Sequence, residues 1–308
     1  MQQTTIARIV RWRGVGLHSG EPASVEVLPA PVDTGLVFVV PGAGGEAGVE
    51  IPARPDAVRS TTRATTLAAR RTATASHDGP RVATVEHLLA ALFALGIHNA
   101  RIAVRGGEIP ALDGSAAPFV ARLRRAGVRS FASSRRELEV TQELEITEGD
   151  RRIRIAPGEG LRIDYSIDFA HPCVGRQRYA LASLDPDLFE SELAPARTFG
   201  FAGEVESLHA QGLARGGDYE NSLVLGDSEL MNPGGLRFPD EFVRHKLVDL
   251  LGDLALVGAE IHAQITVEKG GHGLHHALVR ALVERPGLLA ERVVSAAARG
   301  RRAASQPG

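Results

Sequence analysis

A single cysteine, Cys173, rules out an intramolecular disulfide and leaves a reducing compartment as the simplest expectation. Charge of one sign is not in excess either. The formal net charge of -2 gives no support for a nucleic-acid surface, although Lys and Arg can still gather around an anionic ligand. No uncharged apolar run is long enough to span a bilayer, and the stretch from Met1 to Arg8 lacks the apolar core of a signal peptide. The expectation is therefore a cytoplasmic protein with no integral membrane segment and no nucleic-acid partner. Transient contact with a membrane surface stays open, because a lipid-like substrate needs only a local apolar groove. A P-loop, a Rossmann glycine fingerprint and a G-x-S-x-G elbow are all missing, so nothing supports nucleotide hydrolysis, hydride transfer or serine esterase chemistry.

What is present is apolar material, 44% of 308 residues, enough for two ordinary domains. Runs such as Ala23 to Val27 and Leu36 to Val40 read as strands, the second stopped by Pro41 and a flexible Gly-rich loop to Gly48. A helix follows Thr84, its expected N-cap, and stops at Gly96. A strand over Ala100 to Val104 and a short helix over Ala117 to Ala126 complete the first half. Residues 127–136 shift to Gly, Ser and Arg and read as a linker. Strands then resume at Arg152 to Ile155 and Leu161 to Tyr165. A long helix near 240–257, a strand over Gln264 to Val267 and a helix from Leu274 to about Val283 follow. Strands then helices, twice over, predict an α+β fold of two units, residues 1–128 and 129–295, with a disordered tail over 296–308.

The chemistry-bearing residues concentrate in the long helix. Val243, Leu247, Leu250, Leu254 and Val257 form one core-facing stripe at helical period, while His245, Asp249 and Asp253 fall on successive turns of another side. His245 and Asp249, at i and i+4, can share a cation or simply form a hydrogen-bonded pair. A His and a carboxylate alone do not decide between these; a third ligand is needed. Glu86-His87 can supply one together with a base, since a catalytic zinc takes three protein ligands and a carboxylate beside its water. Equally, Glu86 suits the first turn of a helix for electrostatic reasons, and His87 can merely pack. His272, in the Gly-rich segment Lys269 to Gly273, suits a general acid or a tight turn in equal measure. Ala196 to Phe201 can line an apolar groove or pack a loop. His77, His98, His171, His209 and His262 have no constellation around them.

Several ordered segments do more together than apart: Gly14 to Gly20, Thr84 to Leu88, Glu108 to Ala116, Ala196 to Phe201, Asp240 to Asp253 and Gly271-His272. In this order they resemble the zinc-dependent UDP-3-O-acyl-N-acetylglucosamine deacetylase family of lipid A biosynthesis in Gram-negative bacteria, over nearly the whole chain. The resemblance implies two domains, each a two-layer βααβ sandwich, with the active site between them. It implies Zn2+ held by His87, His245 and Asp249, with Glu86 as general base and His272 as general acid or electrostatic partner. Thr198 matches a hydroxyl that assists the oxyanion, and Asp253 the carboxylate that orients His272. Lys246 matches a substrate-contacting cation, and Phe199 and Lys269 match further substrate-binding positions.

The implied reaction is hydrolysis of the N-acetyl group of a UDP-linked acylated amino sugar, by a monomer. Two departures stand out: His275-His276 replaces the Asn-Asn usual in the family, placing extra imidazoles near His272, and the loop from Pro41 to Gly48 is longer than expected. Rival readings are a zinc amidohydrolase for a different acylated amino sugar and a non-catalytic metal-binding homologue. The presence of both Glu86 and His272 argues for the enzyme.

Overall fold

The computed structural model describes residues 1–42, 48–69 and 79–292. The interior of the Gly-rich loop after Pro41, His77 and the tail expected from 296 lie outside the described residues. The chain is a mixed α and β protein with several sheets and, among the described residues, six α-helices: α1 (Glu86–Ala94), α2 (Ala117–Ala126), the short α3 (Pro186–Leu188) and α4 (Val205–Ala210), α5 (Glu241–Leu254) and α6 (His272–Glu284). Among those residues no helix is long and apolar enough to cross a membrane.

The first half is built on a five-stranded sheet in the order Val10–Val15, Pro22–Pro29, Ala100–Arg105, Leu36–Val40, Val49–Pro52. Period-2 alternation decides its faces. Ala23, Val25 and Val27 point inward from one strand, and Ala100, Ile102 and Val104 from its antiparallel neighbour. Helix α2 adds a stripe of Phe119, Val120, Leu123 and Ala126. The Trp12 ring lies 5.3 Å from that of Phe119, and its indole N–H donates to the Pro118 carbonyl at 3.0 Å, which satisfies the one polar atom it buries.

The second half has a seven-stranded sheet around Glu260–Glu268, which pairs antiparallel with Arg151–Ala156 and parallel with Leu161–Phe169. The expected linker is not a loop. Val128–Ser134 is a strand that pairs antiparallel with Gln2–Ile6, so the chain's first residues are stitched to the passage between the halves. Backbone hydrogen-bonding demand overrides the polar composition here, because the N-terminal strand offers an edge to pair with.

Helix α5 encloses its polar side as well as its apolar stripe. Apart from Arg244 and Lys246 it is buried on every side, His245, Asp249 and Asp253 included. It packs against α1, α6 and the Leu161–Phe169 and Gly175–Leu181 strands. It gives way to a 3-10 turn over Ala255–Val257 and stops at Gly258, whose φ of 72° is left-handed. Thr84 is not the N-cap of α1. Its φ is 58°, its hydroxyl donates to Glu108 Oε1 at 2.9 Å, and Val85 occupies the cap position without a side-chain bond. His272 likewise begins α6 and does not sit in the loop before it.

Helices α1 and α5 approach to backbone contact. A Cβ on Gly252 would stand 2.1 Å from the backbone O of Glu86, so only glycine fits where the two helices cross. At an exposed helical position Gly→Ala gains roughly 1 kcal/mol. Here overpacking reverses the sign, and Gly252→Ala is expected to destabilise the fold by about 1 to 3 kcal/mol in urea unfolding. A stabilising Gly252→Ala would show that the helices can separate freely.

Candidate metal centre and active site

The α1–α5 contact brings His87 beside His245 and Asp249, although 158 residues of numbering separate the two histidines in sequence (245 minus 87). The imidazole rings lie 4.9 Å apart between centroids and nearly perpendicular at 81°. Nε2 of His245 is 3.4 Å and Nε2 of His87 3.6 Å from Asp249 Oδ1, too long for good hydrogen bonds. That Oδ1 is buried and has no hydrogen-bond partner. His245 Nδ1 lies 3.1 Å from the Ala196 carbonyl, which only accepts; Nδ1 therefore carries the hydrogen and Nε2 turns a lone pair toward Asp249. Burial, outweighing the pull of Asp249, pushes His245 down to about 3, so the ring is neutral at ordinary pH. Asp249 is held well below the usual carboxylate range: burial alone would raise it, and the charges of Lys246 and His272 overcome that, with Lys246 Nζ at 2.9 Å from Oδ2. A lone pair, a charged oxygen without a donor and a second imidazole within 4.8 Å of one another fit a cation.

A second cluster of the same residue types is of another kind. Asp253 accepts from Thr65 Oγ1 at 2.6 Å on Oδ1, and on Oδ2 from His272 Nδ1 at 2.8 Å and His275 Nδ1 at 3.0 Å. Both of its oxygens accept hydrogens, in contrast to Asp249 Oδ1. Burial would raise Asp253, but the His272 charge and the hydrogen bonds from His272 and His275 hold it far below the usual range. Burial would lower His272, yet Asp253 and Asp249 together raise it to about 9. Its Nε2 then faces Glu86 Oε1 and Asp249 Oδ2, each at 3.8 Å.

Glu86 lies between these clusters, 3% exposed. Its Oε2 accepts the Thr65 backbone N–H at 3.0 Å, which leaves Oε1 toward His272. Burial raises its pKa, opposed by His272 and His87. Thr198 lines a small cavity together with His87 and Gly114. Buried Arg197 donates to Glu241 at the start of α5 from its backbone N at 3.0 Å and from Nε at 2.9 Å, and Thr198 N donates to the Gly114 carbonyl at 2.9 Å. The Phe199 ring lies 5.6 Å from Lys246 Nζ, 5.7 Å from Phe169 and 5.0 Å from Phe242.

Lys269 stands apart from the other sequence-predicted residues; its ammonium pairs with Asp150 at 2.8 Å and Asp168 at 3.5 Å. Nor do the two extra imidazoles act alike. His275 faces Asp253, whereas His276 Nδ1 is buried without a partner. A cleft of about 1110 Å³ lined by Gln3, His98, Arg136, Leu184, Val257 and His262 contains none of the clustered acids and imidazoles, so chemistry and not cavity size locates the site.

Sequence reasoning missed Thr65, which holds Glu86 through its backbone and Asp253 through its hydroxyl. It missed Tyr165, whose hydroxyl meets His275 Nε2 at 2.9 Å. Neither has a motif around it; only contact reveals them. Glu108 was readable only as part of a matching segment. It accepts from His18 N, Ser19 N and Thr84 Oγ1, clamping the loop that carries His18 to the approach of α1.

Known proteins resemble this chain over most of its length. The family model described as LpxC, UDP-3-O-acyl N-acetylglycosamine deacetylase, matches residues 3–284. A relative from Anaeromyxobacter sp. (strain Fw109-5), named UDP-3-O-acyl-N-acetylglucosamine deacetylase, is 46% identical over 285 residues, 92% of this chain and 90% of its own. Proteins of the same name from Nitratidesulfovibrio vulgaris and Myxococcus xanthus are each 43% identical, covering 100% and 92% of this chain and 96% and 87% of their own. The chain belongs to the UDP-3-O-acyl N-acetylglycosamine deacetylase family.

Proposed function

We propose that this chain hydrolyses the N-acetyl group of UDP-3-O-acyl-N-acetylglucosamine, giving acetate and UDP-3-O-acyl-glucosamine, an early step of lipid A biosynthesis. The observation that carries the reading is Asp249 Oδ1, buried without a donor and facing two imidazole nitrogens, with Glu86 and a proton-holding His272 on its border. The family's name supplies the substrate. We assign zinc to His87, His245 and Asp249, two nitrogens and one oxygen, a donor set that leaves a position open. When bound, zinc supplies Lewis acidity toward the acetyl carbonyl and the attacking water.

The chain's own groups do the rest. Glu86 Oε1, with Oε2 anchored on Thr65, takes the proton of the attacking water. Its raised pKa makes it a better base than an ordinary carboxylate. The Thr198 hydroxyl donates to the developing oxyanion. His272 gives the Nε2 proton to the leaving sugar amine, and Asp253 on Nδ1 keeps the imidazole charged even when Asp249 is engaged with a cation. Lys246 answers the substrate's negative charge, and Phe199 and Phe201, beside Phe169, form an apolar wall for the acyl chain, at about 0.8 kcal/mol per buried CH₂. Lys269 joins the substrate-binding set only by exchanging Asp150 and Asp168 for the diphosphate. In this reading residues 1–128 and 129–295 are the two βααβ sandwich units, meeting at α1 and α5, and the enzyme works as a cytoplasmic monomer.

The deciding assay is acetate release from UDP-3-O-acyl-N-acetylglucosamine by zinc-loaded and chelated protein. Activity should vanish with the metal and return with zinc; acetate release that ignores chelation would remove the proposal. Asp249→Ala should lose bound zinc before anything else, so metal content equal to the parent's would exclude a ligand role. Glu86→Gln and His272→Gln should each lower the rate by about 10² to 10⁴. Asp253 works against burial to keep the His272 pKa above that of an ordinary imidazole, so the parent's rate should fall as pH rises past the point where His272 loses its proton. Glu86 must be ionised, so the rate should also fall as pH drops through its raised range. His272→Gln should erase the basic limb and keep the acidic one.

A further inference from the structure

His275 is a fully buried polar side chain that the proposed chemistry does not use. It follows His272 by three residues on α6, so both imidazoles reach the same carboxylate from one helix face. The positions of its hydrogens follow from its partners. Asp253 is held as a carboxylate and only accepts, so His275 Nδ1 donates to Oδ2 across 3.0 Å. Nε2 is then a lone pair, and Tyr165, which burial keeps protonated well above its ordinary range, donates its O–H to it across 2.9 Å. The rings of Tyr165 and His275 meet edge to face at 84°, with centroids 5.8 Å apart. Gly270 makes room for this contact: a Cβ there would lie 2.6 Å from the Tyr165 hydroxyl and 3.2 Å from His275 Nε2. Gly270 thus serves a contact within the protein.

Without His275, Asp253 would be held only by Thr65 on one oxygen and by His272 on the other, and the carboxylate plane could turn about its own bond toward an empty acceptor direction. A third donor, itself braced by Tyr165, removes that freedom in a site where acid steps need sub-ångström placement. We propose that His275, braced by Tyr165, is a positioning residue for the acid step: it locks Asp253 so that His272 presents Nε2 toward Glu86. This rests on the reading of His272 as the proton donor to the leaving amine.

The test compares kcat, KM, zinc content and unfolding midpoint for the parent, His275→Leu, His275→Asn and Tyr165→Phe. His275→Leu should lower kcat by about 10- to 100-fold with KM and zinc content near the parent's. His275→Asn, whose amide N–H can take the place of Nδ1–H, should recover most of that loss. Tyr165→Phe, which deletes one oxygen, should lose less, in the same direction. Parental kcat in His275→Leu, or a loss confined to KM, overturns the inference while leaving the deacetylase reading intact. Should His275→Leu fail to fold, Tyr165→Phe decides, and parental kcat there overturns it. A zinc-loaded parent that releases no acetate overturns both at once.

Discussion

Everything chemical in this protein depends on two helix backbones touching. Gly252 on α5 lies so close to the Glu86 carbonyl that a methyl group would not fit, and that contact sets the distance between the Glu86-His87 pair and the His245, Asp249, Asp253 series. The helices come from opposite halves of the chain. Each lies in a continuous core with its own sheet, and apolar burial on both sides presses them together. A glycine in the middle of a helix costs propensity, and the fold accepts that cost for proximity.

Within this frame the same residue types produce two opposite environments. Around Asp249 the hydrogens are missing: one buried oxygen has no donor, and the His245 nitrogen that faces it has none to give. Around Asp253 they are abundant, with a hydroxyl and two imidazoles all donating. The first leaves an oxygen and a nitrogen lone pair free for a cation; the second holds its carboxylate ionised with donated hydrogens. The two environments stand one turn apart on α5, with Glu86 and His272 between them. Thr65 ties the two together, its backbone N–H donating to Glu86 and its hydroxyl to Asp253.

Much of the element pattern was legible in advance. The strands at 23–27, 36–40 and 100–104 and the helices α1, α2, α5 and α6 follow from period-2 and period-3.6 repetition, which local sterics alone dictate. The misreadings share a cause. Thr84 has the right side chain for a cap and the wrong backbone, because Glu108 takes its hydroxyl. Residues 128–134 look like a linker and form a strand, because the N-terminal strand offers them an edge. In each case a partner distant in sequence decided a locally ambiguous segment.

The sequence by itself determined the faces: that His245, Asp249 and Asp253 rise on successive turns of α5, and that His87 and Glu86 share the first turn of α1. The ordered motifs determined the family. Only the tertiary structure decided which imidazole meets which carboxylate, that Asp249 Oδ1 lacks a donor while the Asp253 carboxylate has three, and that Thr65, Tyr165 and His275 pack into the cluster. Spacing along a helix is a property of the backbone and can be read from residue order. Distances between elements, and the hydrogen-bond count of a buried oxygen, arise from packing many side chains at once, and no single segment encodes them.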